Sequence, residues 1–269
     1  MLRDITLGQY YQTDSVVHRL DPRVKLVTTL CYIISLFIVD NWIGYVIAGL
    51  FLLLVIKLSK VPFKFMVRGM KSIVFLLIIA VVFNLFLTPG EGEPLVALWK
   101  FTIYREGVRL ASFMAVRLVF LIMGSSVMTL TTTPNNLTDA IEKLLGPLKI
   151  LKVPVHEIAM MMSIALRFIP ILLEETDKIM KAQIARGADF ESGNLIKKAK
   201  SLVPLLVPLF ISAFRRANDL AMAMEARCYH GGEKRTKMKP LIYKKRDVFA
   251  YGIVVCYLAV CIVFGKILW

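Results

Sequence analysis

The chain has 269 residues, 57% hydrophobic and 20% charged, and its mean hydropathy of +0.67 lies far above that of a water-soluble domain. That composition excludes an ordinary soluble enzyme and indicates a membrane protein. The 34 Lys and Arg against 19 Asp and Glu leave a formal net charge of +15, which would suggest nucleic acid in a soluble chain and here has first to be weighed against the topology of membrane spans.

The first 25 residues carry Arg3, Arg19, Arg23 and Lys25 and have no short apolar run with a small-residue cleavage site, so no cleaved signal peptide is expected. A helix needs about 20 apolar residues to cross the hydrocarbon core. Five stretches approach that length, at about 26–39, 43–56, 73–87, 108–130 and 248–268, the first two separated by a turn at Asp40 and Asn41. Lys57, Lys60, Lys64, Arg68 and Lys71 crowd the link between the second and third stretches, whereas the Asp40–Asn41 turn has no basic residue. The positive-inside rule then predicts a cytoplasmic N-terminus, four spans, a long cytoplasmic segment and a fifth span that leaves the C-terminus outside. The surplus charge is accounted for by topology, and no nucleic-acid partner is expected.

Residues 132–247 form the unusual part. Two strongly apolar runs, 158–173 and 202–214, are short for spans, contain proline and continue into polar helical sequence, as expected of helices that lie against the membrane and then emerge. Pro134 opens a short amphipathic helix that ends near Lys149. A second helix is predicted from Pro154 to Arg186, bent at Pro170 and stopped at Gly187, which accepts a positive φ without a Cβ clash. A third is predicted from just after Gly193 and Asn194 to about Tyr229, bent at Pro204 and Pro208. The expected organisation is an all-α integral membrane protein: residues 1–131 with four transmembrane helices, residues 132–247 with one short and two long amphipathic coupling helices in the cytoplasm, and residues 248–269 with the last transmembrane helix.

Phosphate-cradling, zinc-protease and serine-nucleophile motifs are absent, so catalysis, bound cofactors and metals are not expected. His18, His156 and His230 lie far apart in sequence and read as exposed polar residues. The four cysteines, Cys31, Cys228, Cys256 and Cys261, include no C-x-x-C pair and read as small core residues. Arg117 falls near the middle of the fourth span, where a charge is costly; it is either an interhelical hydrogen-bond hub, with Asn84 as a candidate partner, or a side chain that snorkels to an interface. Met160, Met161, Met162, Met222 and Met224 suit either an adaptable partner surface or ordinary core filling.

A tripeptide pattern recurs at the ends of the two long helices: Ala185-Arg186-Gly187 and Ala226-Arg227-Cys228. A helix C-terminus favours a cation for electrostatic reasons alone. Two such arginines, each ending a helix rooted near the membrane, also suit carboxylate-lined sockets on a partner.

At this point the sequence resembles a known family, the transmembrane T component of energy-coupling factor transporters, relatives of the ATP-binding cassette importers. The resemblance covers nearly the whole chain and rests on His18-Arg19-Leu20-Asp21-Pro22-Arg23-Val24-Lys25, on Arg167-Phe168-Ile169-Pro170 followed by Ala182-Gln183-Ile184-Ala185-Arg186-Gly187, and on Glu225-Ala226-Arg227-Cys228-Tyr229-His230-Gly231-Gly232. Cys228 stands where the family often has glycine, which puts the form of that helix end in question. The resemblance implies a non-catalytic scaffold in the cytoplasmic membrane, with Arg186 and Arg227 docking into two ATPase subunits. A separate S component would bind a vitamin or other micronutrient. The alternative from the residues alone is a membrane-anchored adaptor that recruits a soluble partner without transport.

Overall fold

The computed structural model describes residues 10–71, 73–87, 96–98, 101–188, 190, 194–231, 238 and 240–267. In chain order the described elements are α1 (Pro22–Ile38), α2 (Trp42–Ser59), α3 (Phe63–Lys71), α4 (Val74–Leu87), β1 (Val96–Leu98), β2 (Phe101–Ile103), α5 (Arg105–Thr131), α6 (Pro134–Leu144), a 3₁₀ turn (Gly146–Leu151), α7 (Val155–Ala185), α8 (Leu195–Ala226) and α9 (Lys245–Ile267). The protein is an all-α membrane protein, its only described sheet a three-residue hairpin that pairs Val96 with Ile103 and Leu98 with Phe101. The described residues fall into two compact units, one drawn from 8–140 and 241–269, the other from 141–240.

The five apolar stretches of the sequence become α1, α2, α4, α5 and α9. Of these, α2, α5 and α9 are long and apolar enough to cross a membrane, whereas α4 is a shorter apolar helix. Helix α1 has 17 residues and begins with charged Arg23 and Lys25 in its first turns. Helix α7 also meets the length and composition of a span, although its apolar run alone looked too short, because the polar residues that follow continue the same helix without interruption.

In the first unit, many large apolar side chains of α1, α2 and α9 point outward, among them Ile34, Leu53 and Val255. Lipid tails solvate such side chains, so the interior is set by small residues and polar contacts that let helices approach closely. Ala48 and Ser35 are fully buried. A Cβ on Gly124 of α5 would lie 2.8 Å from the Tyr32 ring of α1. That ring packs beside Phe51, which stacks on Tyr257 of α9 with centroids 4.2 Å apart, and the Tyr257 hydroxyl shares a 2.7 Å hydrogen bond with Ser35.

One end of this unit is closed by a buried polar clamp built on the Asp21-Pro22-Arg23 sequence. Asp21 is the N-cap of α1, accepting from the Arg23 backbone N–H at 2.9 Å, and Pro22 takes the first helical position, where its missing N–H costs nothing. Asp247, at the third position of α9, accepts from the backbone N–H of Lys244 at 2.7 Å and from that of Asp21 at 2.9 Å. One carboxylate thus serves the starts of two helices that are far apart in sequence. The Arg23 guanidinium donates to both carboxylate oxygens of Asp21 and to the carbonyl of Leu241, and lies 3.8 Å from the Tyr243 ring centroid. Burial by itself would push the Asp21 carboxyl up, but the hydrogen bonds and charge of Arg23 outweigh it and hold the pKa below the ordinary carboxylate value.

The last carbonyls of α5 have no donors within their own helix. Leu130 receives the Tyr11 N–H at 2.9 Å, and Thr131 receives Lys25 Nζ at 2.8 Å, with the carbonyl of His18 as a second Lys25 acceptor at 3.1 Å. The His18 ring bridges the Tyr11 carbonyl and the Ser15 hydroxyl, which assigns the proton to Nε2 because a carbonyl can only accept. Burial lowers the imidazole pKa and keeps this neutral form. His18 is therefore a structural bridge and not the exposed residue expected. His156 is likewise half-buried, 2.9 Å from Glu142, and only His230 is exposed. Of the four free cysteines only Cys261 is buried; Cys228 and Cys256 are exposed, because an apolar run that faces lipid does not bury every member.

Replacing Asp247 by Ala strands two backbone N–H groups in a site that is 1% exposed. The expected cost is about 2–4 kcal/mol, whereas Asp14→Ala, which removes only the exposed pair with Arg19, should unfold close to the parent. Thermal unfolding of both variants in detergent measures the difference; equal losses would show that the clamp carries no special weight.

Candidate docking site on the paired helices

The second unit is dominated by α7 and α8, of 31 and 32 residues, each therefore about 45–48 Å long. They pair antiparallel. Glu175 of α7 accepts from Ser212 Oγ at 2.6 Å and from Arg216 at 2.8 Å, two residues one turn apart on α8. Further toward the end of α7, Gln183 Nε2 reaches the Pro204 carbonyl at 3.4 Å. That carbonyl has lost its helical donor, because the residue four positions on is Pro208 and has no N–H. Toward the start of α7, Ile164, Phe168 and Leu172 share a cavity of about 280 Å³ with Ala213, Ala217, Leu220, Ala221 and Met224. Small alanines on α8 allow the close approach that the Glu175 contact requires.

This pairing decides where the two arginine tripeptides go. Arg186 lies eleven residues beyond Glu175 on α7, and Arg227 eleven residues beyond Arg216 on α8. Because the helices run in opposite directions, the two arginines stand at opposite ends of the pair, on the order of 30 Å apart at 1.5 Å per residue.

The two helix ends have the same form. At the end of α7, Arg186 is the C-cap, Gly187 adopts φ 85°, the Gly187 N–H donates to Ile184 O at 2.9 Å, and the Ala188 N–H donates to Gln183 O at 3.0 Å. At the end of α8, Arg227 is the C-cap, Cys228 adopts φ 55°, the Cys228 N–H donates to Glu225 O at 2.8 Å, and the Tyr229 N–H donates to Met224 O at 3.0 Å. Both are Schellman terminations. Cys228 therefore leaves the helix end unaltered, at the cost of placing a Cβ in the left-handed region. Ala185, Arg186, Gly187, Ala226, Arg227 and Cys228 are all exposed, and neither guanidinium contacts an acidic group among the described residues. Gly193 and Gly232, expected to flank α8, lie outside the described residues.

A continuous apolar face accompanies these ends. Val203, Leu206, Val207, Phe210 and Phe214 of α8 are exposed, with the two phenylalanine rings 6.0 Å apart. Met161, Met162 and Met222 are exposed too, which rules out core filling for these three.

Arg117, in the first unit, is an interhelical hub, but not with Asn84. Its guanidinium donates to the Tyr45 hydroxyl at 3.0 Å, to the Val39 carbonyl at 3.3 Å and to Asp40 at 3.0 Å. The Asn84 amide donates instead to Ala80 of its own helix at 2.8 Å. The reason is register: the α1–α2 turn reaches only to the level of the middle of α5, so the turn and its acidic residue meet Arg117. Among the described residues no group of three or more potential metal ligands is found.

A family model described as cobalt transport protein, CbiQ, matches residues 13–238. Proteins named energy-coupling factor transporter transmembrane protein EcfT are close relatives: that of Clostridium kluyveri is 58% identical over 272 residues, covering 100% of this chain and 99% of its own. The chain belongs to this family. A second EcfT protein, from Thermosediminibacter oceani, is 51% identical over 268 residues with both chains covered in full, and that of Bacillus subtilis is 48% identical over 247 residues, 92% of this chain and 93% of its own. Membership makes the protein a multi-pass transmembrane component of an energy-coupling factor transporter. The arginine tripeptides, the Glu175 lock and the clamp of Asp21 and Arg23 all lie within the matched span of the CbiQ model, while Asp247 lies beyond it.

Cys228→Gly relieves the left-handed Cβ without changing either hydrogen bond. Amide exchange at positions 228 and 229 should slow by about fivefold, the equivalent of ~1 kcal/mol, and Cys228→Val should speed it. Faster exchange in the glycine variant would mean that the two ends do not share one geometry.

Proposed function

We propose that the protein is the scaffold and coupling subunit of its transporter. Arg186 and Arg227 each dock into one of two ATP-binding cassette ATPase subunits, and ATP-driven closure of that pair changes the separation of the two helix ends. The apolar faces of α7 and α8 carry the motion to a separate S component that binds a vitamin or another micronutrient. The observation that carries this reading is the pair of congruent, exposed arginine caps at opposite ends of one antiparallel helix pair. Two copies of one plug, held apart, suit two equivalent sockets and not one. The exposed methionines and phenylalanines between them suit a membrane-embedded partner that changes position, since flexible thioethers repack at little cost.

In the proposed topology the N-terminus faces the cytoplasm, with residues 132–247 on the same side and the α1–α2 turn outside. Single cysteines at positions 40 and 149, on a background without the native cysteines, should be labelled by an impermeant reagent from outside and only from inside, respectively. Labelling of both from one side overturns the topology.

Truncating one member of a desolvated, hydrogen-bonded charge pair costs about 2–5 kcal/mol, whereas an arginine that only caps an exposed helix contributes about 0.3–1 kcal/mol to folding. The Arg186→Ala/Arg227→Ala variant should remain in the membrane at parental amounts, lose the ATPase subunits on purification and lose ATP-dependent uptake. Parental assembly and transport would refute the plug-and-socket reading. Retained ATPase binding with no dependence of uptake on the chain at all would favour the adaptor.

A further inference from the structure

We propose that the groove between α1, α2, α5 and α9 is a binding site for an anionic phospholipid of the surrounding bilayer, with an acyl chain along the groove and the headgroup phosphate on Arg246. The cavity has a volume of about 340 Å³ and lies wholly within the first unit. That places it within the ~300–1,000 Å³ of small-molecule sites. Its walls are apolar, with Leu54 and Leu58 from α2, Val127 from α5, and Phe249 and Ile253 from α9.

Two cations, Lys25 and Arg246, and no carboxylate line the groove. Their situations differ. Lys25 Nζ is held by the carbonyls of His18 and Thr131 and is not available. Arg246 Nε is buried and has no hydrogen-bond partner among the described residues. The neighbouring Asp247 makes no hydrogen bond to it and directs its two oxygens to the N–H groups of Asp21 and Lys244. Arg246 as a residue is only partly buried and forms no ion pair among the described residues, so an anionic group in the groove meets a cation that has no other counter-charge.

The surroundings select a lipid as the source of that anion. Leu54, Leu58 and Phe249 expose their apolar surfaces as they line the groove. A hydrated anion would have to cross that apolar rim, whereas a phospholipid presents its chain to the wall and its phosphate to Arg246 together. The clamp of Asp21, Arg23 and Asp247 marks the same end as the polar boundary of the helix bundle, the depth at which a headgroup resides.

The test uses the purified full-length chain in mild non-ionic detergent, titrated with dioleoyl phosphatidylglycerol or dioleoyl phosphatidylcholine, with retained lipid read by native mass spectrometry. The parent should bind phosphatidylglycerol more tightly than phosphatidylcholine. Arg246→Gln should weaken phosphatidylglycerol binding at least tenfold and leave phosphatidylcholine unchanged, while Arg246→Lys, which keeps the cation, should retain most of the preference. Ala250→Trp, which fills the groove and leaves Arg246 in place, should weaken both lipids. Thermal unfolding without lipid separates misfolding from lost binding: a Gln variant that unfolds as the parent does and still binds as the parent does overturns the proposal. So does an equal loss on replacing Lys57, an exposed basic residue outside the lining, by Gln, since that would report general surface charge. Displacement of phosphatidylglycerol by millimolar inorganic phosphate would show that the free ion, not the lipid, is the occupant and would likewise overturn it.

Discussion

The first unit depends on the carboxylate of Asp247. It joins the start of α9 to the start of α1 by accepting one backbone N–H from each, while Arg23 pairs with Asp21 and Lys25 donates to the last carbonyl of α5. Such pairing is the governing constraint at a buried helix end, because backbone groups shielded from water must find their partners within the protein. Outward-facing leucines and valines contribute little to holding helices together when the solvent is itself apolar. Close contacts such as Gly124 on Tyr32 bring α1 and α5 together, and the polar clamp fixes which ends coincide.

The same economy appears in the second unit in another form. Pro208 removes a donor from α8, and the freed Pro204 carbonyl is met by Gln183 of the neighbouring helix. Glu175 holds Ser212 and Arg216 on adjacent turns, so translation of one helix along the other would break two charge-assisted contacts together. The pair is thus fixed in register near its middle while its two ends stay exposed. The coupling role proposed for the pair needs both properties: a lock that stops its arms from slipping and free ends that can be moved.

The arginine ends show how one backbone form can be reached by two residue types. Glycine takes the left-handed position after Arg186 without penalty, and cysteine takes it after Arg227 with its two Schellman hydrogen bonds intact. A small side chain is tolerated there because it projects into open space and not against the preceding turn. The backbone at the two arginines therefore has the same form, and the difference between the two ends lies in where α7 and α8 carry them.

Much of this protein was legible in its sequence, because hydropathy, caps and glycines act over a few residues. The membrane class, the start of α1 at Asp21-Pro22, the long helix that closes at Arg186 and Gly187, and the one that closes at Arg227 all follow from local rules. The arginine tripeptides and the ordered motifs carry the family resemblance in the sequence itself. Contacts between distant segments were not legible, since they depend on register. Asn84 and Arg117 were reasonable partners by composition, yet the level of the α1–α2 turn gave Arg117 to Asp40 and Tyr45. Asp247 was one acidic residue among 19 until folding set it against the N–H of Asp21, 226 residues away. The sequence by itself determined that two helices end in arginines; only the antiparallel pairing through Glu175, Ser212 and Arg216 decided that those arginines stand at opposite ends, because helix direction in space is a property of packing and not of any local pattern.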